Sequence, residues 1–165
     1  VHPTRVNVQF IQNKDQLIQY INNKNVIGGE NFREDDKITG ITVFSHGYGT
    51  DGGSIELGHD SGSNADFSFK ASDINRLDSN AFDNPRSAFY SCYSAAGDYS
   101  FAQRWVDKTG GKSWGFDGKS DYEHINDDNI LSSKWAHFLG KPFWGGSRHY
   151  PILGQNASTK AFYGG

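Results

Sequence analysis

A short apolar run near the middle of the chain, Ser87-Ala88-Phe89-Tyr90-Ser91-Cys92, ends at the only cysteine. It is entered through Asn84-Pro85, where Pro85 favours an extended backbone and cannot continue a helix. Aromatic residues favour a pleated, buried setting, so this run predicts a central strand buried on both faces. An amphipathic helix follows, which places Cys92 at the carboxyl end of a strand. In open α/β sheets, ligands and chemistry collect at that edge.

A second strand-like run lies upstream and leads to a histidine. Ile38 to Phe44 is rich in β-branched residues and continues into Ser45-His46-Gly47. If this strand and the strand before Cys92 are parallel neighbours, the imidazole and the thiol face one another across one edge of the sheet. The two runs therefore predict a site built from His46 and Cys92.

Periodicity elsewhere predicts the elements that surround these two strands. They are a strand over Arg5 to Ile11, a helix over Lys14 to Asn23 capped by Asn13, an exposed loop over Gly28 to Lys37, a hairpin of Ser54 to Gly58 with Phe67 to Phe69, a helix over Ala71 to Leu77 with Ser72 as cap, a helix over Tyr99 to Thr109 stopped by Gly110-Gly111, a strand over Lys112 to Phe116, a helix over Ser132 to Leu139, and an ordered loop over Pro142 to Gly165. The β-α-β order predicts an α/β fold with a mostly parallel sheet between helices.

Length and composition indicate one globular domain. At 165 residues the chain is long enough to bury a core, and we expect a single domain over 1–165 in which 120–165 form a loop-rich C-terminal extension. A net charge of −3 without a basic cluster argues against a nucleic-acid or membrane-surface partner. No apolar run approaches the roughly 20 residues that span a bilayer. A single cysteine excludes an internal disulfide, and the lack of methionine with Val1 first favours release from a larger precursor.

The residues at the predicted edge suit acyl transfer. A cysteine attacks as the thiolate, and a neighbouring imidazole can take its proton. The developing oxyanion needs donors, and Gly47 brings a backbone N–H with no side chain in the way. The N–H of Cys92 is a second candidate donor. We expect no metal or cofactor, because the histidines and aspartates near His46, including His59-Asp60, match no zinc spacing.

The same motifs are similar to those of a known enzyme family. A strand ending in His-Gly, then about 40 to 50 residues, then a strand ending in cysteine, resembles the caspase-like (clan CD) cysteine peptidases. The similarity covers about residues 38 to 118. The matching blocks are Phe44-Ser45-His46-Gly47 with Gly53-Ser54-Ile55-Glu56-Leu57-Gly58, and Tyr90-Ser91-Cys92 followed by Phe101-Ala102 and Thr109-Gly110. They are most similar to caspase-like domains of bacterial surface and secreted proteins.

The resemblance implies a caspase-like three-layer sandwich and a cysteine endopeptidase. By it His46 is the general base or proton donor, Cys92 the nucleophile and Gly47 the oxyanion donor, with a protein or peptide as substrate. It also implies a secreted bacterial toxin, an effector delivered into a target cell, or a self-processing part of a larger chain. Cys92 lacks the Gln-Ala-Cys-Arg-Gly pattern of caspases, so aspartate specificity does not carry over. An acidic substrate pocket from Asp51, Asp117, Asp121 and Glu123 is less favoured than solvated loop charges.

Two other functions stay open at this point. The same Cys/His pair serves a deamidase or transglutaminase that acts on protein glutamine, because the thioester intermediate is shared. A degenerate caspase-like scaffold could also bind a partner without catalysis. A serine hydrolase is disfavoured, because neither Ser91 nor Ser94 lies in a Gly-x-Ser-x-Gly elbow.

Overall fold

A four-stranded sheet organises the computed structural model, which describes residues 10–22, 37–58, 67–121, 152–153 and 158–165. The elements in chain order are α1 Lys14–Ile21, β1 Ile38–Val43, β2 Gly47–Tyr48, a 3₁₀ turn Thr50–Gly52, β3 Ser54–Glu56, β4 Ser68–Lys70, 3₁₀ helices Ala71–Arg76 and Ser79–Ala81, β5 Phe82–Phe89, α2 Phe101–Thr109, β6 Lys112–Phe116, β7 Ser120–Asp121, β8 Ile152–Leu153 and β9 Thr159–Tyr163.

The main sheet is mostly parallel. Its order is β1-β5-β6-β9, in which β1, β5 and β6 run parallel and β9 pairs antiparallel with β6. A mixed α/β fold with a mostly parallel sheet is therefore confirmed, as is the parallel pairing of the two strands that lead to His46 and Cys92. Two smaller antiparallel sheets, β2-β3-β4 and β7-β8, are also present, and the pairing of β3 with β4 confirms the predicted hairpin.

The central strand β5 begins earlier than its sequence predicts. It starts at Phe82 rather than Ser87, and the register against β1 shifts between the pairs Ile38–Phe82 and Gly40–Arg86. Asn84 has a φ of 43° in this irregular stretch. Because Pro85 has no N–H to donate, it enters a strand most readily at such a bulge.

Helix α2 packs an aromatic core against β5. The ring of Phe89 lies edge-on to those of Phe101 and Trp105, with centroids 5.1 and 5.4 Å apart. The indole N–H of Trp105 donates to the Ser87 hydroxyl at 2.9 Å, and both side chains are buried. The side chain of Ser100 caps the helix by accepting from the Gln103 N–H. The same core cluster includes Ile18 and Ile21 of α1, so the described α-helices share one hydrophobic core.

The predictions for the elements around the main sheet are confirmed in part. Asn13 caps α1 as predicted, accepting the Gln16 N–H at 2.9 Å, and β3 pairs with β4. The helix after β4 is a 3₁₀ helix, and Ser72 as its cap is wrong. The N-cap residue is Lys70, and its backbone N–H donates to the Asp73 carboxylate at 3.0 Å. A side chain three positions along the helix therefore supplies the capping hydrogen bond.

The C-terminal stretch contributes more structure than a loop. Thr159–Tyr163 form β9, the edge strand of the main sheet, where the sequence predicts ordered loop. Four of the five residues of β9 are exposed, so this strand lacks the alternation of buried and exposed positions by which a strand is predicted. The predicted helix 132–139 lies outside the described residues, as do most of the predicted strand 5–11 and loop 28–37. Phe10 and Ile11 are described and lie in no strand.

Candidate active site

His46 and Cys92 leave the sheet at the same edge. Each lies three positions beyond the last residue of its strand, Val43 in β1 and Phe89 in β5. Val43 and Phe89 are direct partners in the parallel register, and the Tyr90 N–H donates to the Val43 carbonyl at 2.8 Å. The carboxyl ends of the two strands therefore bring His46 and Cys92 to one rim of the sheet.

The residues that precede His46 and Cys92 are joined directly. The hydroxyl oxygens of Ser45 and Ser91 lie 3.0 Å apart, and the Ser45 hydroxyl also reaches the His46 carbonyl at 2.9 Å. Ser91 is fully buried. The carbonyl of His46 accepts a second hydrogen bond, from the Glu56 N–H at 2.9 Å. The backbone at His46 is thus held from the Cys92 side and from β3.

Gly47 packs against the backbone of Cys92. A Cβ atom on Gly47 would lie 2.4 Å from the Cys92 carbonyl oxygen and 2.9 Å from the Ser91 Cβ, so only glycine fits without displacement. Because the Glu56 N–H donates to the His46 carbonyl, His46 and Glu56 form a hydrogen-bonded pair of the antiparallel ladder. Hydrogen-bonded and non-hydrogen-bonded pairs alternate along such a ladder. Gly47, opposite Ile55, is therefore in a non-bonded pair and directs its N–H away from β3.

Cys92 lies in a tight turn rather than in the strand itself. It is half-buried, and the next residue, Tyr93, has a φ of 59°, in the left-handed region. The Tyr93 N–H donates to the Gly118 carbonyl at 2.8 Å. Within the described ranges, the N–H of Cys92 donates to no acceptor, which leaves it available to a ligand.

The sulfur of Cys92 has a partner that sequence analysis missed. The Ser120 N–H donates to Sγ at 3.3 Å, and the Ser120 hydroxyl lies 3.3 Å from the same atom. Ser120 follows β6, the third parallel strand. The signal in the sequence is indirect: the residues after a neighbouring parallel strand must pass the same rim.

Ser94 anchors the turn to the sheet. It is fully buried, and its hydroxyl lies within hydrogen-bonding distance of the carbonyls of Phe89 at 3.1 Å and Ser91 at 2.9 Å. It also accepts the Phe116 N–H at 3.2 Å. Ser91 and Ser94, which flank the cysteine, are therefore structural braces in this fold.

Of the four acidic candidates for a substrate pocket, Asp117 is engaged elsewhere. Its carboxylate accepts hydrogen bonds from the N–H and the hydroxyl of Ser158, and the ammonium of Lys160 lies 3.9 Å away. Partial burial opposes ionisation, but the Ser158 donors and the Lys160 charge together hold the pKa of Asp117 below its ordinary value. Asp51 is exposed, and the side chains of Asp121 and Glu123 lie outside the described set.

The described ranges carry no group of three His, Cys, Asp or Glu side chains that could hold a metal ion. His59 and Asp60 fall outside those ranges. The described helices include none of the length and apolarity that a bilayer crossing requires. Comparisons with protein-family models, with curated proteins and with solved structures found no match to the chain.

Proposed function

We propose that the chain is a cysteine endopeptidase of the caspase-like kind, with Cys92 as nucleophile and His46 as general base. One observation carries the proposal. The parallel strands β1 and β5 bring both residues to a common rim, and the Ser45–Ser91 contact of 3.0 Å links the segments that hold them. Activation of a thiol by an imidazole requires the two side chains within hydrogen-bonding reach, and strands that end side by side favour this.

The first half-reaction forms a thioester. The His46 imidazole takes the proton of the Cys92 thiol, and the thiolate attacks the carbonyl carbon of the scissile peptide bond. The carbon–nitrogen bond then breaks, and the departing amine takes the proton from the imidazolium. The new bond joins the acyl group to Sγ.

The second half-reaction releases the acid. A water gives a proton to His46 as its oxygen attacks the thioester carbonyl, and the carbon–sulfur bond breaks. The proton returns from the imidazolium to the sulfur, which restores the resting thiol. In both halves the N–H groups of Gly47 and Cys92 would stabilise the oxyanion. The direction of the Gly47 N–H and the lack of a described acceptor for the Cys92 N–H support this role.

The exposure of the rim supports an extended, polymeric substrate. His46 is exposed and Cys92 half-buried, and the neighbouring Tyr48 is 60% exposed. A peptide could therefore reach the sulfur without entry into a closed cavity. Part of a larger precursor is one substrate of this class, as in the self-processing, toxin or effector context that the motifs suggest.

Cleavage of an unstructured protein, followed by mass spectrometry, tests the proposal. We expect new peptides with the parent chain and a loss of at least roughly a hundredfold in rate for both Cys92→Ala and His46→Ala. Ser72→Ala, at an exposed position in the 3₁₀ helix Ala71–Arg76, is the control and should cleave like the parent.

The same spectra discriminate between the candidate reactions. Intact substrate whose glutamine has become glutamate would show a deamidase instead. A parent chain that alters no substrate, or a Cys92→Ala variant that cleaves at the parent rate, contradicts the peptidase assignment.

A further inference from the structure

The geometry points to Ser120 as a positioning residue that hydrogen-bonds the Cys92 sulfur and stabilises the thiolate formed during the reaction, an inference that rests on the proposed function of Cys92. Ser120 lies outside the two sequence motifs, and among the described residues its side chain is within hydrogen-bonding distance of the sulfur. Its N–H and its hydroxyl oxygen each lie 3.3 Å from Sγ.

The two groups of Ser120 respond differently to the state of the sulfur. A backbone N–H can only donate, so it bonds to the sulfur whether or not the thiol is protonated. A hydroxyl can accept from S–H or, after rotation, donate to S⁻. The thiolate therefore receives two donors, whereas the thiol receives one and donates its own proton to the Ser120 hydroxyl at 3.3 Å or to the Ser120 carbonyl at 4.0 Å. Hydrogen bonds to an ionised acceptor are roughly twice as strong as neutral ones, so the pair favours the thiolate.

The segment that carries Ser120 is fixed at several points. After β6, Asp117 is tied to Ser158 through its carboxylate, and its N–H donates to the Ser158 carbonyl at 3.0 Å. Gly118 accepts the Tyr93 N–H, and Ser120 pairs with Leu153 in the β7–β8 ladder. Ser120 is therefore held against the sulfur by the fold rather than by the sulfur alone, which is what preorganisation requires.

Several described titratable side chains lie on the segments packed around Cys92. They include His46 and Tyr48 beyond β1, Tyr93 and Asp98 in the loop that holds Cys92, and Asp117 and Lys119 beyond β6. Asp117 is bound to Ser158, and Lys119 is exposed. A test of Ser120 must therefore change its hydroxyl and leave these charges in place.

Alkylation of the full chain by iodoacetamide provides that test. The chain has one cysteine, so the rate reports Cys92 alone, and the assay needs no peptide substrate. The variants are Ser120→Ala, and the pair Ser120→Thr and Ser120→Val, which share one shape but differ in the hydroxyl. β-Branched residues suit a strand such as β7, so the pair decides the question if Ser120→Ala does not fold.

We expect Ser120→Ala and Ser120→Val to react about three- to fivefold more slowly than the parent near pH 6.5. This follows from the loss of one hydrogen bond to a charged group, partly offset by the higher nucleophilicity of a more basic thiolate. Ser120→Thr should react at the parent rate. Above about pH 10, where thiols are ionised in every variant, the slow variants should no longer lag.

Two results would overturn the role of Ser120: equal rates near pH 6.5, or slowing by the same factor at every pH, which signals altered access rather than altered ionisation. The peptidase assignment fails separately. If the parent cleaves no peptide while Ser120→Val still shows pH-dependent slowing, the hydrogen bond to the thiolate stands and the proposed reaction does not.

Discussion

The hydroxyl groups of Ser45 and Ser91 lie 3.0 Å apart, although 46 positions separate them in the chain. Ser45 precedes His46 and Ser91 precedes Cys92, so one contact spans the two segments of the candidate site. Ser91 is fully buried while Cys92 is half-exposed. The contact thus lies between the buried core and the partly exposed rim that carries Cys92.

A double-mutant cycle should detect this contact. Ser45→Ala and Ser91→Ala each remove one partner, and the double variant removes both. We expect a coupling of about 0.5–1.5 kcal/mol in the free energy of unfolding, measured by urea denaturation. As the control cycle, Ser91→Ala combined with Ser79→Ala should be additive, because Ser79 bonds to the Lys108 carbonyl elsewhere. Additivity of Ser45→Ala and Ser91→Ala would show that the contact contributes nothing.

Gly47→Ala should damage the site through the backbone. The new methyl group would meet the Cys92 carbonyl oxygen at 2.4 Å, and a backbone atom cannot rotate away. We expect a loss of about 1–3 kcal/mol in unfolding free energy and a fall of roughly a hundredfold in peptide cleavage, because the nucleophile is displaced. In the control Gly58→Ala, the methyl group meets the side-chain ring of Phe67 at 3.1 Å, which can shift. Parent-like cleavage by Gly47→Ala would contradict the close packing.

Alanine substitutions at Gly111 and Gly97 should separate the cost of a steric clash from the cost of backbone strain. Their φ angles are +70° and +71°, so alanine is strained by a similar amount at both. At Gly97 the methyl group enters open space, whereas at Gly111 it would lie 2.1 Å from the Pro85 carbonyl oxygen. Thermal and urea unfolding should show about 1–2 kcal/mol lost for Gly97→Ala and at least about 2 kcal/mol more for Gly111→Ala. Equal losses would place the whole effect in the φ angle.

Acid should weaken the link between Asp117 and Ser158. The pKa of Asp117 is lowered in the folded chain, so its contribution to stability is fully present above the ordinary Asp value of about 3.9. It is lost as the pH falls through the folded pKa. The difference in unfolding free energy between the parent and Asp117→Asn should therefore shrink from pH 6 to about pH 3. A difference that stays the same from pH 6 to about pH 3 would rule the link out.

The sequence predicts the two strands that lead to the rim well, because their apolar residues form strong local patterns. Two apolar strands, one ending near His46 and the other near Cys92, are visible from β-branched and aromatic residues, and the shared edge follows once these two strands pair in parallel. The contacts that complete the rim are not visible in this way. Ser120 meets the sulfur only through the path of the chain after β6, and serine is common in loops, so nothing in its neighbours marks it.

Other differences have equally local causes. A proline usually marks the limit of a strand, yet the bulge around Asn84 lets β5 begin at Phe82. Tyr99 adopts a φ of 55°, so α2 starts at Phe101 rather than at Tyr99 as its spacing predicts. In both cases a single residue in the left-handed region moved a boundary, which hydrophobic periodicity does not encode.

The antiparallel pairing of β9 with β6 has a kinetic consequence. Thr159 pairs with Phe116 across a long intervening segment, and the Gly164 N–H then reaches the Gly111 carbonyl at 2.7 Å. Closing so large a loop costs chain entropy before any contact compensates for it, so this pairing should form late in folding and limit its rate. On the ribosome, β1, β5 and β6 emerge before β9 does. The segment that carries Ser120 would therefore gain its contacts with Leu153 and Ser158 only after those residues have been synthesised.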